Sequence, residues 1–242
     1  MIYQDFIDYT FEQDFNWLWI AVVIELFIVG IFLFRYIELE DMDSTKRLYL
    51  GYGTFMIAFA VSRIFNYVAN YYRDIGVFET DPAFLIPKRI CYIVGLMSLA
   101  FLINGFERYF TEKTKGLFSL MPFIVALLSF FLPYEMVKYI NYVSTPVAIL
   151  VIVFVYIYMV RQSTGYLRSQ AIRSLIGLFF FFLGIAFDST LAREIFIDLD
   201  LTIIPHILGP ILSLIGIMIF FRTINISIKK KKQISTLVNA NV

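Results

Sequence analysis

Arg63, Asn66, Tyr67 and Asn70 stand at i, i+3, i+4 and i+7 in an otherwise apolar stretch. That spacing puts all four on one face of a helix. A guanidinium, two carboxamides and a phenol on one face can bind a small polar or anionic ligand. Glu25, Lys88, Asp188 and the only histidine, His206, lie in similarly apolar surroundings. Ionisable groups at membrane depth are costly, and they line functional pathways or pair with one another. The candidate ligand-binding set is therefore Glu25, Arg63, Asn66, Tyr67, Asn70, Lys88, Asp188 and His206. Lys88 and Arg89 have a second reading, as basic residues that snorkel to headgroups from the end of a span.

Covalent and metal chemistry is poorly supplied. Cys91 is the only cysteine, so neither a disulfide framework nor a thiolate metal site can form within the chain. One histidine excludes bis-His haem and multi-His metal centres. There is no HExxH, no P-loop, no GxSG serine context to pair with His206, and no CDP-alcohol transferase aspartate cluster. The last apolar run lacks the mid-span lysine that a retinal protein needs. The chain reads as a non-enzyme with no catalytic residue, metal or cofactor.

These residues need a scaffold, and composition points to lipid as its solvent. Hydrophobic residues make up 60% of 242, charged residues 16%, and the mean hydropathy is +0.78. A soluble domain carries roughly 45–50% apolar and about 25% charged residues. The net charge of +1 supplies no basic face for nucleic acid. Asp5, Asp8, Glu12 and Asp14 stand where a cleavable signal peptide would be basic, so the first apolar run is expected to remain as a span.

An all-α membrane protein of seven spans is expected, since about 20 apolar residues cross a ~30 Å hydrocarbon core. The predicted spans are 17–36, 48–71, 84–106, 117–132, 139–160, 174–191 and 201–224, with 1–16 outside and 225–242 a basic cytoplasmic tail. The fourth is the shortest and lies between Pro122 and Pro133. Alternate loops divide the basic residues fourteen to five, with Arg63 left inside a span. Arg35, Lys46, Arg47, Arg161, Arg173 and Lys229 to Lys232 are on the heavier side, whereas the lighter loops are acidic, with Asp74, Glu79, Asp81, Glu194, Asp198 and Asp200. The positive-inside rule then puts the N-terminus outside, the C-terminus in the cytoplasm and the protein in the cell membrane. The lysine run is expected to meet anionic inner-leaflet lipid, at ~1 kcal/mol per charge, as a topological anchor.

An internal repeat is also expected. An offset of 126 carries Arg35, Arg47, Gly51, Ala58 and Ser62 onto Arg161, Arg173, Gly177, Gly184 and Asp188. An offset of 118 carries Pro87, Lys88, Cys91, Gly95 and Ser98 onto Pro205, His206, Gly209, Ser213 and Gly216. Helices one to three would thus be a parallel repeat of five to seven, with the fourth as linker. The small residues read first as packing positions for close helix approach. This plan resembles the 3+1+3 architecture of the sugar-carrier and PQ-loop families, and its topology is receptor- or opsin-like. The naming Pro-Gln dipeptide is absent and the first two spans lack proline, so no family substrate or site residue carries over.

In the repeat Arg63 adjoins the counterpart of Asp188, and the two are expected at similar depth, with Glu25 as a second acceptor. The pair would either line an outward cavity with Lys88, His206, Asn66, Asn70 and Tyr67 or fix helix register. The leading functional expectation is a sensor that binds a small ligand from outside and signals through a protein partner. The alternatives are a small-solute carrier, proton-coupled through Glu25, Asp188 or His206, and a structural subunit of a membrane complex.

Overall fold

Long runs of Leu, Ile, Val and Phe leave a polypeptide in lipid one economical backbone state, the helix, in which every interior N–H and C=O is paired within its own segment. The computed structural model describes residues 16–38, 40, 42–78, 80–110, 116–189 and 203–240, with Phe6, Tyr9, Thr10, Ala192 and Phe196. Side chains are described within these except at 44, 108–110, 203 and 227–240. The chain forms α1 (Trp17–Glu38), α2 (Asp43–Asp74), α3 (Pro82–Phe110), α4 (Leu117–Leu128), α5 (Tyr134–Gln162), α6 (Gly165–Phe187) and α7 (Ile203–Ala240), and no strand occurs among the described residues.

The helix ends have local causes. Asp81 accepts the N–H of Ala83 at 2.8 Å and Pro82 opens α3, a capping carboxylate followed by the residue that lacks a donor. Gly76, at φ +85°, turns the chain out of α2 and donates its N–H to the Arg73 carbonyl. Gly116, at φ +88°, leads into α4. The first turn of α4 is then capped from another helix: Glu107 of α3, 3% exposed, accepts the N–H of Phe118 on Oε1 and of Ser119 on Oε2, both at 2.9 Å.

Among the described residues six helices are long and apolar enough to cross a membrane: α1, α5 and α6 whole, and α2, α3 and α7 over Thr45–Asp74, Pro82–Glu107 and Ile204–Ile226. The protein is therefore a multi-pass helical membrane protein in character. The fourth predicted span falls short, because α4 has 12 residues and rises only ~18 Å. Beyond Leu128 the chain continues as hydrogen-bonded turns to Leu132, where Pro133 disfavours further α-helix. On α5, Tyr139, Val143, Leu150 and Phe154 are more than half exposed, an apolar face suited to lipid.

Two further boundaries differ from expectation. The sixth helix begins at Gly165 and ends at Phe187, so Asp188 is its C-terminal cap residue and not an interior position. The seventh continues as helix through Ala240, where a tail was expected. The side chains of the Lys229 to Lys232 run, and Asp5, Asp8, Glu12, Asp14, Glu79, Glu194, Asp198 and Asp200, lie outside the described residues.

The helices group into two units, Met1–Ile152 and Val153–Val242, with the boundary inside α5. In the first unit, α2 packs against both α1 and α3, and α3 also packs against α4. A Cβ on Gly51 would lie 2.8 Å from Gly105 Cα, so α2 and α3 meet backbone to backbone there. Further along the same seam Ser62 Oγ donates to the Cys91 carbonyl at 2.8 Å and touches the Gly95 position. In the second unit α6 and α7 cross equally closely, at Gly177 against Gly216 and Phe220, and at Gly184 against Gly209 and Ser213. Small residues set both seams, as van der Waals packing in lipid requires.

Candidate functional site

The polar stripe of α2 faces inward in the first unit. Arg63, Asn66 and Asn70 are 9%, 6% and 6% exposed, and Ser62 beside them is also buried. Burial on α2 follows from its position between α1 and α3, which leaves lipid only a narrow face such as that at Ile64.

Lys88 of α3 reaches this stripe. Its Nζ donates to Asn66 Oδ1 at 2.7 Å and lies 5.7 Å from the centre of the Tyr92 ring. The ammonium is buried, so it is not snorkelling to a headgroup from this position. Pro87 precedes it in the second turn of α3, where the helix is already established.

Arg63 is held from the other side by a residue that sequence reasoning passed over. Its guanidinium carbon lies 4.0 Å from the centre of the Trp19 ring, a cation–π contact between α2 and α1. Trp19 is 4% exposed, whereas its neighbour Trp17 is 44% exposed. The indole Nε1 of Trp19 is buried and has no hydrogen-bond partner among the described residues. Arg63 and Asn66 are one turn apart on α2, so Trp19, Arg63, Asn66 and Lys88 form one continuous group contributed by three helices.

The remaining expected residues divide. Tyr67 is drawn away from the group: its hydroxyl donates to Thr10 Oγ1 at 3.0 Å, and its ring packs edge-on against Phe6 and Tyr9. Tyr9 donates in turn to Asp74 Oδ2 at 2.9 Å, and Asn16 donates to the Tyr9 carbonyl. Glu25 sits on the flank of the buried face of α1, six residues beyond Trp19, and its Oε2 is buried without a hydrogen-bond partner among the described residues. Asp188 and His206 belong to the second unit. Asp188 is buried at the end of α6, and His206 occupies the first turns of α7. Among the described residues no group of three or more His, Cys, Asp or Glu side chains is placed to hold a metal ion.

Two buried cations, a carboxamide that accepts from one of them and an indole N–H make a donor-rich group inside an apolar bundle. Such a group can hold negative charge or carbonyl oxygen. Comparison with protein-family models, with curated proteins and with solved structures finds no match.

Proposed function

We propose that this chain is a seven-helix sensor of the cell membrane, which binds a small ligand from the outer side at the Trp19–Arg63–Asn66–Lys88 group and signals through a protein partner. The observation that carries the proposal is the Lys88–Asn66 hydrogen bond beside Arg63, which keeps two cationic side chains buried among three apolar helices. Helices that needed only to pack could hold this seam with Ser62, Gly51 and Gly105 alone. Charge at this depth is costly, and a ligand-binding role accounts for that cost.

The proposed topology has the N-terminus outside and the C-terminus in the cytoplasm, with α4 crossing as a short helix under local bilayer thinning. Helices α1 to α3 and α5 to α7 would be parallel repeats, with α4 as linker. The lysine run of α7 would sit against anionic inner-leaflet lipid.

One observation favours a carrier as a second reading. Glu25 lies inside a span with a buried carboxyl oxygen that lacks a hydrogen-bond partner among the described residues, and such a group suits a proton-coupled cycle. Purified protein screened against small anions and polar solutes by thermal stabilisation should show a ligand-dependent rise in Tm. The same solute is then offered to proteoliposomes. Binding without uptake supports the sensor, uptake supports the carrier, and no stabilisation by any solute removes both readings.

A further inference from the structure

Trp19 supplies a hydrogen-bond donor that nothing in the described structure uses. An indole N–H can donate and cannot accept, so its partner must bring a lone pair. The face of the same ring is taken by the Arg63 guanidinium at 4.0 Å, which leaves the ring edge, where Nε1 lies, for another group. At 4% exposure the side chain is too buried for its N–H to be satisfied at the lipid–water interface, the usual place for tryptophan in a membrane protein. Buried polar atoms without partners are rare, and each one marks strain, an absent water or an absent ligand.

The surroundings select the ligand's chemistry. Next to the N–H stands a guanidinium, and one helical turn along α2 stands the Asn66 carboxamide that carries the Lys88 ammonium at 2.7 Å. A purely donating ligand would bring no lone pair for the indole N–H. An oxygen bearing negative charge would accept from the indole N–H and be drawn to both cations, and charge-assisted bonds are stronger than neutral ones. We infer that the group binds an oxyanion, a carboxylate or phosphate oxygen, and that Trp19 Nε1 is one of its direct donors. This rests on the ligand-binding reading above and narrows it to one ligand class. The oxyanion could be a free solute or a phospholipid headgroup, since the group lies near the start of α1.

The two tryptophans make the inference testable, because Trp17→Phe leaves Trp19 as the only indole. In that background the 15N-labelled indole N–H resonance is followed in phosphate-free maltoside detergent while inorganic phosphate or acetate is added at constant ionic strength. A second arm places the same protein in nanodiscs of phosphatidylglycerol. A saturable downfield shift in the first arm identifies a free oxyanion. A downfield position present in nanodiscs, and absent from the same nanodiscs with Lys88→Met, identifies a headgroup. Trp19→Phe keeps a ring for Arg63 but removes the donor together with part of the buried indole volume, so its ligand-dependent rise in Tm is read against its own ligand-free Tm. It should weaken the phosphate- or acetate-dependent rise in Tm by about ten- to a hundredfold in apparent affinity, the loss of one charge-assisted bond. A resonance that stays fixed in both arms overturns the inference. So does oxyanion stabilisation that survives Trp19→Phe undiminished. Stabilisation by a neutral or cationic solute, with no response to oxyanions, overturns the inference and leaves the ligand-binding reading standing.

Discussion

Replacing Asn66 should damage the protein more than replacing Asn66 and Lys88 together. Asn66→Leu removes Oδ1, which accepts from the Lys88 ammonium at 2.7 Å, and leaves that 7% exposed charge with one acceptor fewer. Taking away an acceptor from a buried charged donor costs about 2–3 kcal/mol. Lys88→Met keeps the length of the stem and removes the charge, leaving only a neutral carboxamide short of a partner, at a cost of about 1 kcal/mol. In the double variant both polar ends are gone and apolar groups of similar reach face each other, a change that is often neutral or mildly stabilising. The single costs then total about 3–4 kcal/mol against roughly 0–1 for the double, a coupling of about 2–4 kcal/mol. Denaturant unfolding in mild detergent, followed by circular dichroism, measures all four corners of the cycle. Single costs that add to the double within about 0.5 kcal/mol would refute the reasoning, since the hydrogen bond would then contribute nothing beyond its two isolated groups.

Gly177→Ala should destabilise the second unit by about 1–3 kcal/mol, because its Cβ would lie 2.8 Å from Phe220 N and 2.9 Å from the Gly216 carbonyl, backbone atoms that cannot rotate aside. Thermal unfolding should show the loss, and an unchanged Tm would mean the crossing is looser. Glu107→Gln should cost about 1–3 kcal/mol, since an amide has one acceptor oxygen for the two N–H groups of Phe118 and Ser119. Faster hydrogen exchange confined to the start of α4 would identify the cause. Reporter fusions after residue 115 and after residue 133 should report opposite sides of the membrane if α4 crosses, and the same side if it does not.

Helix positions were largely legible in the sequence because apolar runs and the bilayer obey the same length rule. The ends were less so. Gly165 to Arg173 carries Arg168 and Arg173 and breaks the apolar run, yet it forms the first turns of α6 as ordinary helix. Pro133 marks the end of the α4 segment, but hydropathy alone carried that span through Leu132, past the last helical residue. The α2 stripe was legible from its spacing, and the 3.6-residue period translated directly into the shared burial of Arg63, Asn66 and Asn70. Trp19 was not, because its contact with Arg63 joins two helices and no local periodicity encodes it. Glu107 was hidden in the same way: it reads as one more flanking charge and acts as the cap of the next helix. The seam contacts relate Phe101 and Gly105 to Gly216 and Phe220 and so differ by three residues from the register that aligns Pro87 with Pro205.

The α2–α3 seam has a mechanical consequence. It is fastened at three heights: backbone contact at Gly51 and Gly105, the Ser62 hydroxyl on the Cys91 carbonyl, and Asn66 with Lys88. Neither helix can slide or roll along the other without opening at least one of these fastenings. The pair therefore behaves as a stiff plate. A displacement imposed at Asn66 is delivered at Gly51, roughly 22 Å away along the helix, with little lost to bending. α1 is tied to the same plate at two heights, by the Trp19 ring on Arg63 and by the close approach of Gly30 to Gly53 and Ile57, so it is carried along with it.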